Sequence, residues 1–534
     1  MAAVSGGLQV LIFPSPALYA LCWIALAPLL LAILKRRTGG TELIDPRGLL
    51  LSVTTVWQGF LLGYLSGIIW YAGSCFWVYH VMHVYGGLNA PVAAGVLILF
   101  CLYLGLYTGL FGALVAQAAR GRGPGLRNAL LLAPFLWVAV ELARARITGF
   151  PWDLLGTAQV NNTPLTRLAA VTGVYGISFI IVLVNCGIVA ALFAAPHSRR
   201  RLLTLALAVA VMLQLGTLAK LRPSRAEHTA LLVQSNVPLD TAWTQPLLQQ
   251  TVRELANISR MPEGIRLKME TRLILWPESP APLFDNDQHL RQGVSDLARS
   301  QDADVILDLV GVLPPRPNAP ANAESELANR AVLVEPSGAW AAHYDKIHLV
   351  PFGEYVPFHQ LFAFAAKLTR EVGNYMPGNA RTSFEVEGHK LGTFICYEAI
   401  FPDEVREFAA NGADLFVNLS DDGWYGDIGA PGQHLNMARM RAIENGRWLL
   451  RATNTGVTAA IDPLGRVVAQ APRNQRTALL APYDFVSEVT FYTRYGDWFA
   501  WWCAIISMFG LFVRFTFRAA NIRTIPTRQV PVGP

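Results

Sequence analysis

Six cysteines occur in the 534 residues, and five of them (Cys22, Cys75, Cys101, Cys186 and Cys503) fall in long apolar segments. Cys396 does not. It closes the apolar run from Leu391 to Ile395, which reads as a buried strand, so its thiol arrives at a strand's C-terminal end, where α/β sheets hold their sites. With no second cysteine in its part of the chain, it has no disulfide to form. Two charged residues occupy comparable places: Glu278 closes the run Leu273-Ile274-Leu275-Trp276-Pro277-Glu278, and Lys346 follows His343-Tyr344-Asp345. A carboxylate can take a thiol proton, the thiolate can attack an acyl carbonyl, and an ammonium can offset the developing oxyanion. Each residue alone has an ordinary reading, as a core thiol, a turn carboxylate after Trp-Pro, or a surface lysine paired with Asp345. Together they form a set suited to acyl transfer.

The composition says where such a set would sit. Hydrophobic residues make up 53% and charged residues 15% of the chain, far from soluble averages and expected of a membrane protein. Mean hydropathy is +0.35. Of the 37 acidic residues only Glu42, Asp45, Glu141 and Asp153 precede Arg225, so the first part reads as membrane and the second as mostly aqueous. The net charge of +6 comes from basic clusters beside apolar segments, which is a topology signal. Neither a nucleic-acid signature nor a solenoid repeat is present.

A membrane-crossing helix needs about 20 mostly apolar residues. The pattern predicts a short or broken first segment running into Phe13-Pro14-Ser15-Pro16, then spans at 17–34, about 50–78, 90–119, 128–147, 168–195 and 202–220, and a last one at about 497–517. The N-terminal run lacks a basic leader region and reads as part of the bundle. Lys35-Arg36-Arg37, Arg120/Arg122/Arg127, His197-Ser198-Arg199-Arg200-Arg201 and Arg514, Arg518, Arg523 fall on alternate loops, which the positive-inside rule assigns to the cytoplasm. Residues 1–224 are therefore expected to be a bundle of about seven spans, 225–490 an extracytoplasmic domain, and 491–534 a last span with a cytoplasmic tail. Within 225–490, apolar β-rich runs alternate with helical patterns and give way to strand-only stretches, indicating an α/β sandwich.

Beyond the three residues, the segments around them carry a resemblance. Trp276-Pro277-Glu278-Ser279, Asp345 to Pro357, Ile395-Cys396-Tyr397-Glu398, Asn418 to Gly426, Gln433 to Ala442 and Arg451 to Gly456 resemble motifs of the nitrilase superfamily of carbon–nitrogen hydrolases, and within it the bacterial apolipoprotein N-acyltransferase family. The resemblance implies a polytopic α-helical membrane bundle carrying an extracytoplasmic nitrilase-like domain, a four-layer αββα sandwich. It further implies an inner-membrane enzyme that moves an acyl chain from a phospholipid onto a cysteine as a thioester, then to the α-amino group of a diacylglyceryl-cysteine apolipoprotein. On that basis Glu278 is the general base, Lys346 the oxyanion stabiliser and Cys396 the nucleophile, with Glu354 and Glu398 supporting them. Trp243, Tyr397, Trp424 and Tyr425 are the candidate substrate-binding residues. No cofactor is expected, and a monomer is. His343, His348 and His434 lack metal-ligand spacing, so no metal is expected either.

Glu141, Arg144 and Arg146 lie near the end of a span, where charge is costly; a Glu–Arg pair is expected, with headgroup contact as the alternative. Tyr492, Trp498, Trp501 and Trp502 suggest an interfacial aromatic belt. Two other functions stay open. A membrane-tethered nitrilase-type amidase would use water where the acyltransferase uses an amine, and a transporter or receptor would bind a ligand without turnover.

Overall fold

The computed structural model describes residues 1–34, 54–120, 125–260, 272–314, 325–355 and 375–522, with 514–522 as backbone only. Lys35-Arg36-Arg37, Arg122, Val356, Pro357 and Arg523, on which some expectations lean, lie outside them, as does the start of the 50–78 span.

Among the described residues four helices are long and apolar enough to cross a membrane: Ala90–Ala119, Gly125–Thr148, Val174–Leu192 and Pro196–Leu218. Val56–Ser74 and Trp77–Tyr85 together make a fifth if counted as one, bent by 53°. The remaining apolar helices among the described residues, Ala2–Leu11, Tyr19–Leu34 and Trp498–Val513, are shorter. Lipid offers no hydrophobic drive for helices to associate, so close packing of small side chains does it instead. Gly59 and Gly63 bring the Val56–Ser74 helix against Gly112 and Thr108 of Ala90–Ala119, where an added Cβ would collide with the facing backbone.

Three charged groups pair differently from expectation. Glu141 Oε1 accepts from the Leu155 amide at 2.7 Å, and Arg144 donates to the Trp152 carbonyl at 2.7 Å. Arg146 reaches Asp403 and Asp497 instead. No Glu141–Arg hydrogen bond forms among the described residues; the two side chains bond backbone groups of the 149–155 connection instead. The aromatic group also divides. Trp501 and Trp502 are exposed, whereas Tyr492 is fully buried and its hydroxyl donates to Asp497 at 2.9 Å.

The second half is a sandwich of two six-stranded sheets. In the first, β1 (His228–Gln234), β2 (Leu273–Leu275) and β3 (Asp304–Val312) run parallel, and β4 (Leu327–Val334) and β5 (Trp340–Asp345) extend it antiparallel. In the second, β6 (Ser383–Val386) pairs antiparallel with β7 (His389–Ile395), which runs parallel to β8 (Leu415–Ser420) and β9 (Trp448–Thr453); β10 (Ala459–Ile461) and β11 (Val467–Gln470) complete it antiparallel. The chain then returns as β12 (Thr477–Tyr483) to the free side of β1.

Alternation along β1 explains the layers. Ala230 and Leu232 point into the core shared with Leu415, Val417 and Leu450 of the other sheet. Leu231 and Val233 point outward, under Leu255 of the Gln245–Ile258 helix and Val294 and Leu297 of the Gln288–Gln301 helix. Pro402–Ala410 and Ala430–Asn445 cover the second sheet, completing four layers. The parallel strands β2, β7, β8 and β9 all release their chains at C-terminal ends, and that edge carries the site.

Candidate active site

Each candidate side chain leaves a strand end. β2 ends one residue before Trp276-Pro277, and Pro277 fixes φ there, so Glu278 is set by rigid backbone. Its carboxylate is buried and fully engaged: Oε1 accepts from Lys346 Nζ at 3.1 Å and Asn329 Nδ2 at 3.0 Å, and Oε2 from the Asp421 amide at 2.9 Å. Lys346, just past β5, is 1% exposed and splits its ammonium between Glu278 and Glu354, whose Oε1 lies at 3.0 Å. Burial alone would push this ammonium down, but Glu278, Glu354 and Cys396 outweigh it, and Lys346 is held well above its usual 10.5. It is a fixed positive charge in a low-dielectric pocket.

Cys396 follows β7 directly, with φ at +48°. A non-glycine residue in this left-handed region is strained by about 1–3 kcal/mol and stays only where its surroundings determine it. Burial pushes the thiol well above its usual 9.0, the Glu278 and Asp422 carboxylates push it the same way, and Lys346 opposes them without prevailing. The resting thiol is therefore protonated at neutral pH, and its proton has to leave as any bond to sulfur forms.

The two supporting glutamates do different things. Glu354 Oε1 takes Lys346 and Asn329 Nδ2 (2.7 Å), and its Oε2 takes the Val350 amide at 2.7 Å. Glu398 touches neither Lys346 nor Cys396. Its Oε1 accepts from the Tyr344 hydroxyl (2.7 Å) and the Ile347 (2.7 Å) and His348 (3.1 Å) amides, and its Oε2 from the Ile395 amide at 2.7 Å. One fully buried carboxylate thus ties the corner carrying Lys346 to the corner carrying Cys396. Burial raises this carboxyl above its usual value despite those bonds.

Four further aromatic positions part ways. Tyr397 is buried with its ring edge-on to Phe401, at 5.2 Å. Tyr425 is buried among Trp77 and Trp152 of the bundle, at 4.9 and 5.6 Å. Trp424 is 36% exposed and meets Tyr85 of the bent helix pair. Trp243 is half-buried and packs against the cluster on the helix-covered face of the first sheet. A cavity of about 530 Å³ opens between the two halves, with walls that include Arg146, Thr148, His348, Pro351, Tyr375 and Tyr397. Among the described residues no group of three or more His, Cys, Asp or Glu side chains is arranged to hold a metal ion.

Two participants escaped the sequence reading, and a third, His434, was weighed there only as a metal ligand. Asn329 on β4 donates to both Glu278 and Glu354, keeping two carboxylates on one ammonium. Asp308 on β3 accepts from the Ser279 amide (2.9 Å) and hydroxyl (3.2 Å), fixing the turn after Glu278, where Ser279 has φ of +40°. His434 lies behind Cys396 with Nε2 3.0 Å from its carbonyl oxygen. Isolated polar letters inside apolar strands were the available signal for Asn329 and Asp308.

Comparison with known proteins gives the family. The Apolipoprotein N-acyltransferase N-terminal domain family matches residues 5–187, and the Carbon-nitrogen hydrolase family matches 232–489. An apolipoprotein N-acyltransferase of Geobacter metallireducens is 35% identical over 512 residues, covering 94% of this chain and 92% of its own. One from Methylococcus capsulatus is 35% identical over 472 residues, covering 86% and 89%. Among solved structures, an amidase from Nesterenkonia sp. is similar over 52% of this chain and 95% of its own, at 20% identity and a TM-score of 0.36. Because the relatives match through bundle and sandwich alike, at this identity and nearly full length, the chain belongs to the apolipoprotein N-acyltransferase family.

Proposed function

We propose that this protein takes an acyl chain from a membrane phospholipid onto Cys396 and passes it to the α-amino group of the diacylglyceryl-cysteine that begins an apolipoprotein, on the outer face of a bacterial inner membrane. The observation that carries the reading is the Glu278–Lys346 pair beside a buried Cys396 held at positive φ, in a domain edge walled by the bundle's own Trp77 and Trp152.

In the first half-reaction Glu278 takes the Sγ proton as sulfur bonds to the ester carbonyl carbon, and Lys346 faces the oxyanion. Collapse breaks the carbon–oxygen bond, and the lysophospholipid alkoxide leaves with the proton held by Glu278. The acceptor amine then attacks the thioester and gives its proton to Glu278. The carbon–sulfur bond breaks, and that proton returns to sulfur. Glu354 and Asn329 keep the ammonium in place through both halves, and Glu398 maintains the spacing between Lys346 and Cys396.

A labelled phospholipid incubated with purified protein is expected to leave its label on the Cys396 peptide by mass spectrometry, and Cys396→Ala to lose both the label and transfer. Glu278→Gln, which keeps the shape and removes the base, is expected to lower acyl-enzyme formation by at least about 100-fold. Turnover of a soluble amide with no lipid present, or transfer by Cys396→Ala, would overturn the proposal.

A further inference from the structure

The acyl-enzyme reading leaves one buried group beside Cys396 without a task. His434 lies on the Ala430–Asn445 helix, fully buried. Its Nε2 is 3.0 Å from the Cys396 carbonyl oxygen, and its Nδ1 is 2.8 Å from Asp422 Oδ1. Nδ1 also meets Arg451 Nη2, a donor, at 3.2 Å, and a carbonyl oxygen only accepts, so the tautomer with its hydrogen on Nε2 donates to the Cys396 carbonyl while Nδ1 accepts from Arg451. The ring cannot swing away. Arg451 Nη2, itself anchored on Asp422 at 2.7 and 2.8 Å, holds one side. Trp152 of the bundle stacks on its face at 6.0 Å and 24°, with Tyr425 edge-on at 5.8 Å.

The position of that bond matters because the peptide unit is planar and trans. The Cys396 carbonyl and the Tyr397 N–H point in opposite directions across one rigid plane. Fixing the carbonyl on the His434 side therefore fixes the Tyr397 N–H on the other. Tyr397 stands in the first turn of the Cys396–Ile400 3-10 helix, where amides have no partner within the turn. An amide directly after a nucleophile at a strand-to-helix turn is placed to meet an oxyanion. We propose that His434 is a positioning residue: through its hydrogen bond to the Cys396 carbonyl it sets the Cys396–Tyr397 peptide so that the Tyr397 amide and Lys346 face the same oxyanion. Glu398 holds the chain one peptide earlier, at the Ile395 amide, and His434 holds the unit that follows Cys396. The left-handed Cys396 backbone is pinned between them.

This inference rests on the thioester reading, and its test separates the two. His434→Leu removes the donor. In His434→Gln the amide nitrogen can stand where Nε2 stood. Acylation by labelled phospholipid is measured beside alkylation of Cys396 by iodoacetamide, a displacement that builds no oxyanion. Removing one oxyanion donor lowers rates by about 100-fold or more, so acylation by His434→Leu is expected to fall about 100-fold in kcat with KM for the donor unchanged. His434→Gln is expected to return to within about tenfold of the unaltered enzyme, and alkylation to change less than about threefold in both variants. Equal acylation by His434→Leu and unaltered protein overturns the inference. So does a parallel fall in acylation and alkylation, which marks a displaced thiol, or a glutamine variant no better than leucine. If the leucine variant does not fold, Trp152→Leu, which loosens the ring's seat, is expected to show the same selective loss in acylation, and its absence counts against the role. No thioester on the unaltered enzyme sinks both readings, whereas a thioester there and an equal one on His434→Leu sinks only this one.

Discussion

Cys396 is the residue whose chemistry depends most on its neighbours. Burial and the Glu278 carboxylate raise its thiol well above 9.0, so the alkylation rate of the native protein is expected to climb through pH 9 without levelling off. Lys346 is the group working in the opposite direction, so Lys346→Ala is expected to slow alkylation at any fixed pH up to 9, and to abolish acylation through loss of oxyanion stabilisation. Stopped-flow labelling across a pH series checks both; a plateau near pH 7 or 8 in the native protein would mean that Lys346 outweighs burial. Glu278 and Cys396 stood out in the sequence because each ends an apolar run, and Lys346 because it follows a strand pattern at Trp340 to Tyr344. Asn329 did not, since its two bonds reach Glu278 and Glu354, 51 and 25 residues away. Nothing within Leu327-Ala328-Asn329-Arg330 distinguishes it from a polar residue at the pleat of an ordinary strand. The opposition between Lys346 and burial at the thiol was likewise undecided by sequence, because burial is a property of the folded surroundings.

At the level of elements, most strands were readable from apolar β-rich runs, but β6 and β12 were not, nor was the pairing into sheets, and the αββα layering follows from β1 presenting one face to each neighbour. The bundle was read less completely. Apolar length predicts that a segment crosses, but the 53° bend between Val56–Ser74 and Trp77–Tyr85 arises from packing that hydropathy does not encode. The Val56–Ser74 and Ala90–Ala119 pair is held by close approach: Gly63 lies against the Thr108 carbonyl with no space for a side chain. Gly63→Leu must move backbone, and overpacking of this kind costs about 1–3 kcal/mol or more. Its thermal midpoint in detergent is expected to fall, while Gly187→Leu, a helical glycine whose added Cβ meets nothing within 4 Å, is expected to leave it unchanged. Equal midpoints for both would mean that this helix pair does not depend on the contact.

Across the whole molecule, the sandwich and the bundle are joined through buried polar groups. Gln433 accepts from Trp152 Nε1 at 2.7 Å and donates to the carbonyls of Pro14 (2.6 Å) and Ser74 (3.2 Å). Gln433→Leu keeps the volume and strands a buried indole N–H and two carbonyls, each costing about 1–3 kcal/mol if no water replaces the amide. It is expected to lower the unfolding temperature and to raise protease cleavage between the halves. An unchanged melting profile would show that the interface is held elsewhere, for example at Arg146 with Asp403 and Asp497. The same contact has a consequence for biosynthesis. Trp152 leaves the ribosome 281 residues before Gln433, and Cys396 leaves 38 residues before His434. The seat is therefore already in the bilayer when the helix that needs it is made, and the reactive sulfur is translated before the ring that disciplines its backbone. A nascent or mislocalised chain carries the thiol without its alignment, so acylating power is confined to molecules that have completed insertion.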